Sequence, residues 1–124
     1  MYESGEGVIK DSAEARRWRQ RAAESGEAGD LNNLGWQLAT CPRPEVRDGR
    51  AAVTYAEKAV AATSRTNALY LDTLAAANAE AGDFVKAVTI QKEAIALSRT
   101  EAEKNDYASR LRLYESQTPY RQSE

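Results

Sequence analysis

The side chains able to do chemistry are few in kind. Cys41 is the single thiol of a 124-residue chain that contains no histidine, so neither a usual zinc site nor a histidine-based catalytic dyad can be assembled. A thiol beside Pro42 and Pro44 would need a neighbouring base to become reactive. No particular base lies near it in sequence, and it reads as a small apolar turn residue. Carboxylates are plentiful, yet nothing in their spacing sets an acid against a base. Arg16, Arg17, Arg19 and Arg21 make a basic run, but helical geometry spreads them over both flanks of an apolar stripe, with Glu14 and Glu24 as local partners. This inventory implies a chain that is not an enzyme and needs no cofactor or metal.

Charge narrows the partners further. The net charge is −2, divided as −1 in residues 1–62 and −1 in residues 63–124. Neither half is biased toward nucleic acid or an anionic membrane. Helical repeats that read RNA need many repeats and a positive surface, which this chain lacks. No apolar run approaches the ~20 residues of a membrane span, and the N-terminus has no signal-peptide pattern. A soluble protein is expected, with its compartment, cytoplasmic or periplasmic, left open.

The elements that would position any site are helices. Alanine dominates the apolar set, phenylalanine occurs once, and β-branched residues never alternate, so an all-α fold follows. A first helix spans about Asp11 or Ser12 to Ser25, with Ser12 as a plausible N-cap, Ala15, Trp18 and Ala22 on one face and Gly26 at its end. A second runs from Ala28 to Thr40 with Leu31, Leu34, Gly35 and Leu38 in a stripe, and Pro42 and Pro44 forbid its continuation. Asp48 caps a third, whose face is Ala52, Val53, Ala56, Ala59 and Val60. Asn67 starts a fourth with Leu71, Leu74, Ala75 and Ala79 inward, closed by Gly82. Asp83 caps a fifth carrying Phe84, Ala87, Val88, Ala94 and Ile95, interrupted by Gln91. A sixth, from about Thr100 to Ser116, carries Ala108, Leu111 and Tyr114. Small residues at Gly35, Ala52, Ala59, Ala75, Ala87 and Ala94 suit close helix packing.

Two stretches carry a family resemblance. Tyr2, Gly5, Gly7, Val8, Asp11, Ala15, Trp18, Ala22, Ala23 and Gly26, in that spacing, resemble the loop and second helix of a Sel1-like repeat. Asn33-Leu34-Gly35-Trp36 resembles the first helix of the next. From Ala68 to about Glu101 the chain resembles a tetratricopeptide repeat: Leu71, Leu74 and Ala75 in its first helix, Gly82-Asp83-Phe84 at the turn, Ala87 and Ala94 in its second. The unit between them is a hybrid whose turn is lengthened by the prolines. Asn78 and Gln91 stand where the family has apolar or aromatic residues, which predicts looser packing in the last repeat.

The resemblance implies an antiparallel helix-hairpin solenoid with a C-terminal capping helix. It divides the chain into a partial repeat (1–26), a hybrid repeat (27–66), a tetratricopeptide-like repeat (67–100), a cap (101–117) and a tail (118–124). Units of about 34 to 40 residues bury their apolar faces only by stacking. The chain opens in mid-repeat, so it is expected to be the C-terminal part of a longer, bacterial-type protein, with Val8 and Trp18 on an edge that could seat a second copy. By family position, the groove residues are Asn32 and Trp36, Asp72 and Ala76, and Asp106 with Arg110. The set lacks the Lys/Asn/Lys/Arg pattern that clamps a peptide's C-terminal carboxylate. Two aspartates and an indole platform suit a protein or peptide segment bearing Lys or Arg. The plainer reading of Trp36 is packing on the neighbouring helix, and of the aspartates, solvation. The alternative role is a self-association or spacer domain.

Overall fold

Side chains that cap helix ends divide the chain. The protein is described by a computed structural model covering residues 9–123. Tyr2, Gly5, Gly7 and Val8 lie outside the described residues. The helices are α1 (Ser12–Ser25), α2 (Ala28–Thr40), α3 (Gly49–Ala62), α4 (Ala68–Glu80), α5 (Phe84–Leu97) and α6 (Glu101–Glu115), with no strand among the described residues. The side chains of Asp11, Asp48, Asn67, Asp83 and Thr100 each accept from a backbone N–H in the first turn of the following helix, which satisfies donors that a helix start leaves unpaired. The α1 cap is thus Asp11, one residue before Ser12.

Three helices end on the same hydrogen-bond pattern. Arg65 N–H donates to the Val60 carbonyl, Asp83 N–H to that of Asn78, and Thr118 N–H to that of Leu113, each reaching back over a residue at positive φ: Ser64 (54°), Gly82 (92°) and Gln117 (57°). This is the Schellman arrangement, in which glycine is the usual left-handed residue. Its use after α6 sets the direction in which the last residues leave the helix.

Consecutive helices pack pairwise: α1 on α2, α2 on α3, α3 on α4, α4 on α5 and α5 on α6, with α2 also beside α4. The arrangement fits a solenoid of antiparallel hairpins whose inner layer includes α2 and α4. Ala52, Ala59, Ala75, Ala87 and Ala94 are fully buried where these helices meet, as close packing requires. A Cβ on Gly35 would come within 3.4 Å of the Ala52 carbonyl and of Ala56. Gly49 is tighter, since a Cβ there would stand 2.6 Å from the Ala81 nitrogen. The prolines close the α2–α3 turn around buried Val46, and Asp48 N–H returns to the Leu38 carbonyl.

Two faces differ from the sequence expectation. In α5 the buried line is Ala87, Ile90, Gln91 and Ala94, with Phe84, Val88 and Ile95 only partly buried. In α6 it is Tyr107 and Tyr114, with Ala108 and Leu111 partly exposed. Gln91, on the helical line of Phe84, Val88 and Ile95, and Arg110 of α6 both reach Asp72 of α4.

Candidate functional site

Nine consecutive residues of α4, Leu71–Ala79, are buried, and so are Asn32 and Leu34–Thr40 of α2. An inner-layer helix of an open solenoid would show one face to solvent. Here both helices are covered all round, although the buried residues include Asn32, Gln37, Thr40, Asp72, Thr73 and Asn78. Arg110 of α6 and the segment that follows that helix reach over this polar face.

The roof is pinned at Asp72. This carboxylate is wholly buried, and both its oxygens receive Arg110: Nε at 2.9 Å to Oδ1 and an Nη at 3.1 Å to Oδ2. Such a two-pronged contact is the strongest an arginine makes with a carboxylate. Gln91 Nε2 donates to Oδ1 at 2.9 Å and to the Tyr107 carbonyl at 3.0 Å, tying α5 to α4 and α6. Burial pushes the Asp72 carboxyl above its ordinary value, while the charge and hydrogen bonds of Arg110 and the Gln91 amide pull it down. The Tyr107 hydroxyl is pushed up to about 12, first by burial and then by the charge of Asp72. Asn78 returns its amide to the Leu74 carbonyl at 3.0 Å. Both unusual amides are therefore hydrogen-bonded inside the core, where the resemblance predicted looser packing.

Around the Arg110 guanidinium stand three rings: Tyr120 at 5.2 Å, Tyr107 at 5.6 Å and Trp36 at 5.7 Å from its carbon. Tyr120 belongs to the last residues of the chain and also lies against Trp36, ring centroids 5.6 Å apart. From there the segment runs along α2. Gln122 N–H donates to the Thr40 carbonyl at 2.7 Å, and Gln122 Nε2 to Thr40 Oγ1 at 2.9 Å. Between them Arg121 meets Glu80 at 3.2 Å, a carboxylate that Arg47 also approaches, at 3.5 Å. An aromatic ring, a cation and an amide thus occupy three successive seats on the inner face.

The segment is lightly held. Arg121 is 46% exposed, so its ion pair is worth ~0–1 kcal/mol. The cation–π contact adds about 0.5–1 kcal/mol and each hydrogen bond about 0.5–1.5 kcal/mol, against ~1–2 kcal/mol to order each residue's backbone.

Of the six residues predicted by family position, Asn32, Trp36, Asp72 and Ala76 are buried, Arg110 is partly buried and Asp106 is exposed. The structure brings Trp36, Asp72 and Arg110 into one cluster and leaves Asp106 at its margin, near enough for its charge to raise the Asp72 carboxyl. Trp36 lies against Tyr120 and beside Arg110 of α6. Asn32 lies one turn before Trp36, with no hydrogen-bond partner for either amide atom among the described residues. Sequence reasoning missed Thr40, Glu80, Gln91, Tyr107 and Tyr120. Thr40 carried a signal, since residues 32, 36 and 40 fall on one helical line, and so did Gln91, a polar residue inside the α5 stripe.

Elsewhere, Arg19 pairs with Asp48 at 3.2 Å, and Arg21 lies over Trp18 at 5.5 Å. The Cys41 thiol is buried and donates to the Ile9 carbonyl at 3.4 Å. Burial raises its pKa against the nearby Arg43 and Arg47. Among the described residues no helix is long and apolar enough to cross a membrane, and no three potential metal ligands cluster. No protein-family model, curated protein or solved structure matches the chain.

Proposed function

We propose that the chain is a non-catalytic helical-repeat module, of the Sel1-like and tetratricopeptide kind, that binds an extended peptide or protein segment along the inner face of α2 and α4. The observation that carries the reading is the seating of residues 120–122 on that face, through a ring on Trp36, a cation on Glu80 and a backbone N–H on Thr40. Stacked hairpins hold these groups in place before any partner arrives, so little ordering cost falls on the receptor at binding. The partner chemistry is a segment with an aromatic residue followed by Lys or Arg, and Glu80 rather than Asp72 supplies the acidic seat.

Panning a displayed peptide library on the full chain tests this. The expected result is enrichment of aromatic-basic pairs, with amide shift changes confined to residues around Trp36, Thr40 and Glu80. Failure to enrich any peptide, or shifts confined to another face, would contradict it. The alternative, self-association at the N-terminal edge, draws on the half-buried Trp18 of α1. Light scattering that finds monomer at high concentration would remove it.

A further inference from the structure

We infer that residues 118–122 are an internal stand-in for the partner, and that a partner segment binds by displacing them. The inference rests on the peptide-binding reading above and adds what the partner must do.

Three observations lead there. The segment is attached by seats in which Tyr120 and Gln122 are only partly buried and Arg121 is exposed, so its hold is of the size a second segment can match. It leaves α6 through a turn whose left-handed residue is Gln117, φ 57°, a conformation that costs a residue with a Cβ. Its reach is also limited. Tyr120 stands at Trp36 and Gln122 at Thr40, so the segment runs parallel to α2, and the residues before Tyr120 are the ones directed toward the Asn32 end. There the chain is drawn back, because Thr118 N–H is held by the Leu113 carbonyl. A separate segment is not tethered to α6. It can place Tyr- and Arg-like side chains in the same seats.

The partner is therefore an extended peptide with an aromatic residue followed by a basic one. Its apparent affinity for the intact chain is reduced by the fraction of molecules whose face is already occupied.

The test uses the full chain and a fluorescein-labelled peptide with the sequence of residues 116–124. Its partners are wild type, the opened variant Tyr120→Ala with Arg121→Ala, and Thr40→Cys with Gln122→Cys in a Cys41→Ser background, in which an oxidised 40–122 link, verified by mass, locks the segment down. We expect the peptide to bind the opened variant at least about tenfold more tightly than wild type. The locked chain should not bind until it is reduced. Equal affinity for wild type and opened variant, or binding to the oxidised locked chain, overturns displacement while leaving peptide recognition standing. Absence of binding to an opened variant that remains helical overturns displacement as well, and recognition falls with it only if the library also returns nothing. The locked chain keeps Tyr120 and Arg121, so the oxidised-to-reduced comparison decides the matter even where the opened variant fails to fold.

Discussion

Replacing Arg110 with methionine keeps much of the apolar stem and removes the guanidinium that faces Asp72. The carboxylate, wholly buried in the pair, would then retain Gln91 Nε2 as its donor. Breaking a buried pair from one side costs roughly 3–5 kcal/mol. Because Arg110 is 14% exposed, some water reaches the pair, and we expect about 3 kcal/mol. The opposite change, Asp72→Asn, leaves the cation in touch with solvent and keeps an acceptor at Oδ1, so about 1–2 kcal/mol is expected. The two losses should not add, with a coupling of ~1–3 kcal/mol in the double variant. The pH dependence has a definite sign. Burial holds the folded-state carboxyl above its unfolded value, so the folded chain binds that proton more tightly. The contribution of Asp72 is therefore complete below the unfolded pKa and declines as pH rises through the folded one. Arg110→Met removes a downward pull, raises the folded value further and widens the window. Urea unfolding followed by helical circular dichroism should then show the deficit largest near pH ~7 and shrinking toward pH ~4. A cost below about 1 kcal/mol without pH dependence would mean a solvated rim contact, and would refute the account of a buried pin.

Gly49→Ala should destabilise by about 1–3 kcal/mol, because its Cβ would meet the Ala81 backbone at 2.6 Å; the same urea titration reads this out, and a neutral result would mean the α3–α4 contact is looser than described. Cys41, buried with its pKa raised, should react with a disulfide reagent at least about a hundredfold more slowly in the folded chain than in urea, and comparable rates would show that the turn opens readily.

The helix boundaries were legible because they are written in local chemistry. Asp48, Asn67, Asp83 and Thr100 cap as their type suggests, and Pro42, Pro44 and Gly82 stop what precedes them. Alanines at helical spacing located the close contacts. What local pattern could not reveal was the polar contact that α5 and α6 make: Gln91 shares a helical line with Phe84, Val88 and Ile95, which pack on the core, and its amide together with Arg110 meets the wholly buried carboxylate of Asp72. The roof was harder still. Residues 118–122 have no periodicity, and their partners Thr40 and Glu80 lie 82 and 41 residues away from the side chains that meet them. A tail read from sequence becomes part of the site only when the fold brings those distant groups beneath it. Of the residues picked by family position, Asn32, Trp36, Asp72 and Ala76 are buried rather than open.

The chain has two tryptophans, and the indole N–H resonance of Trp36 reports directly on what covers the inner face. The account predicts that Tyr120→Ala shifts this resonance while leaving that of Trp18 in place, and that adding the 116–124 peptide drives it back toward its wild-type position. A Trp36 resonance indifferent to both changes would contradict the claim that this face is a peptide seat filled by the chain's own end.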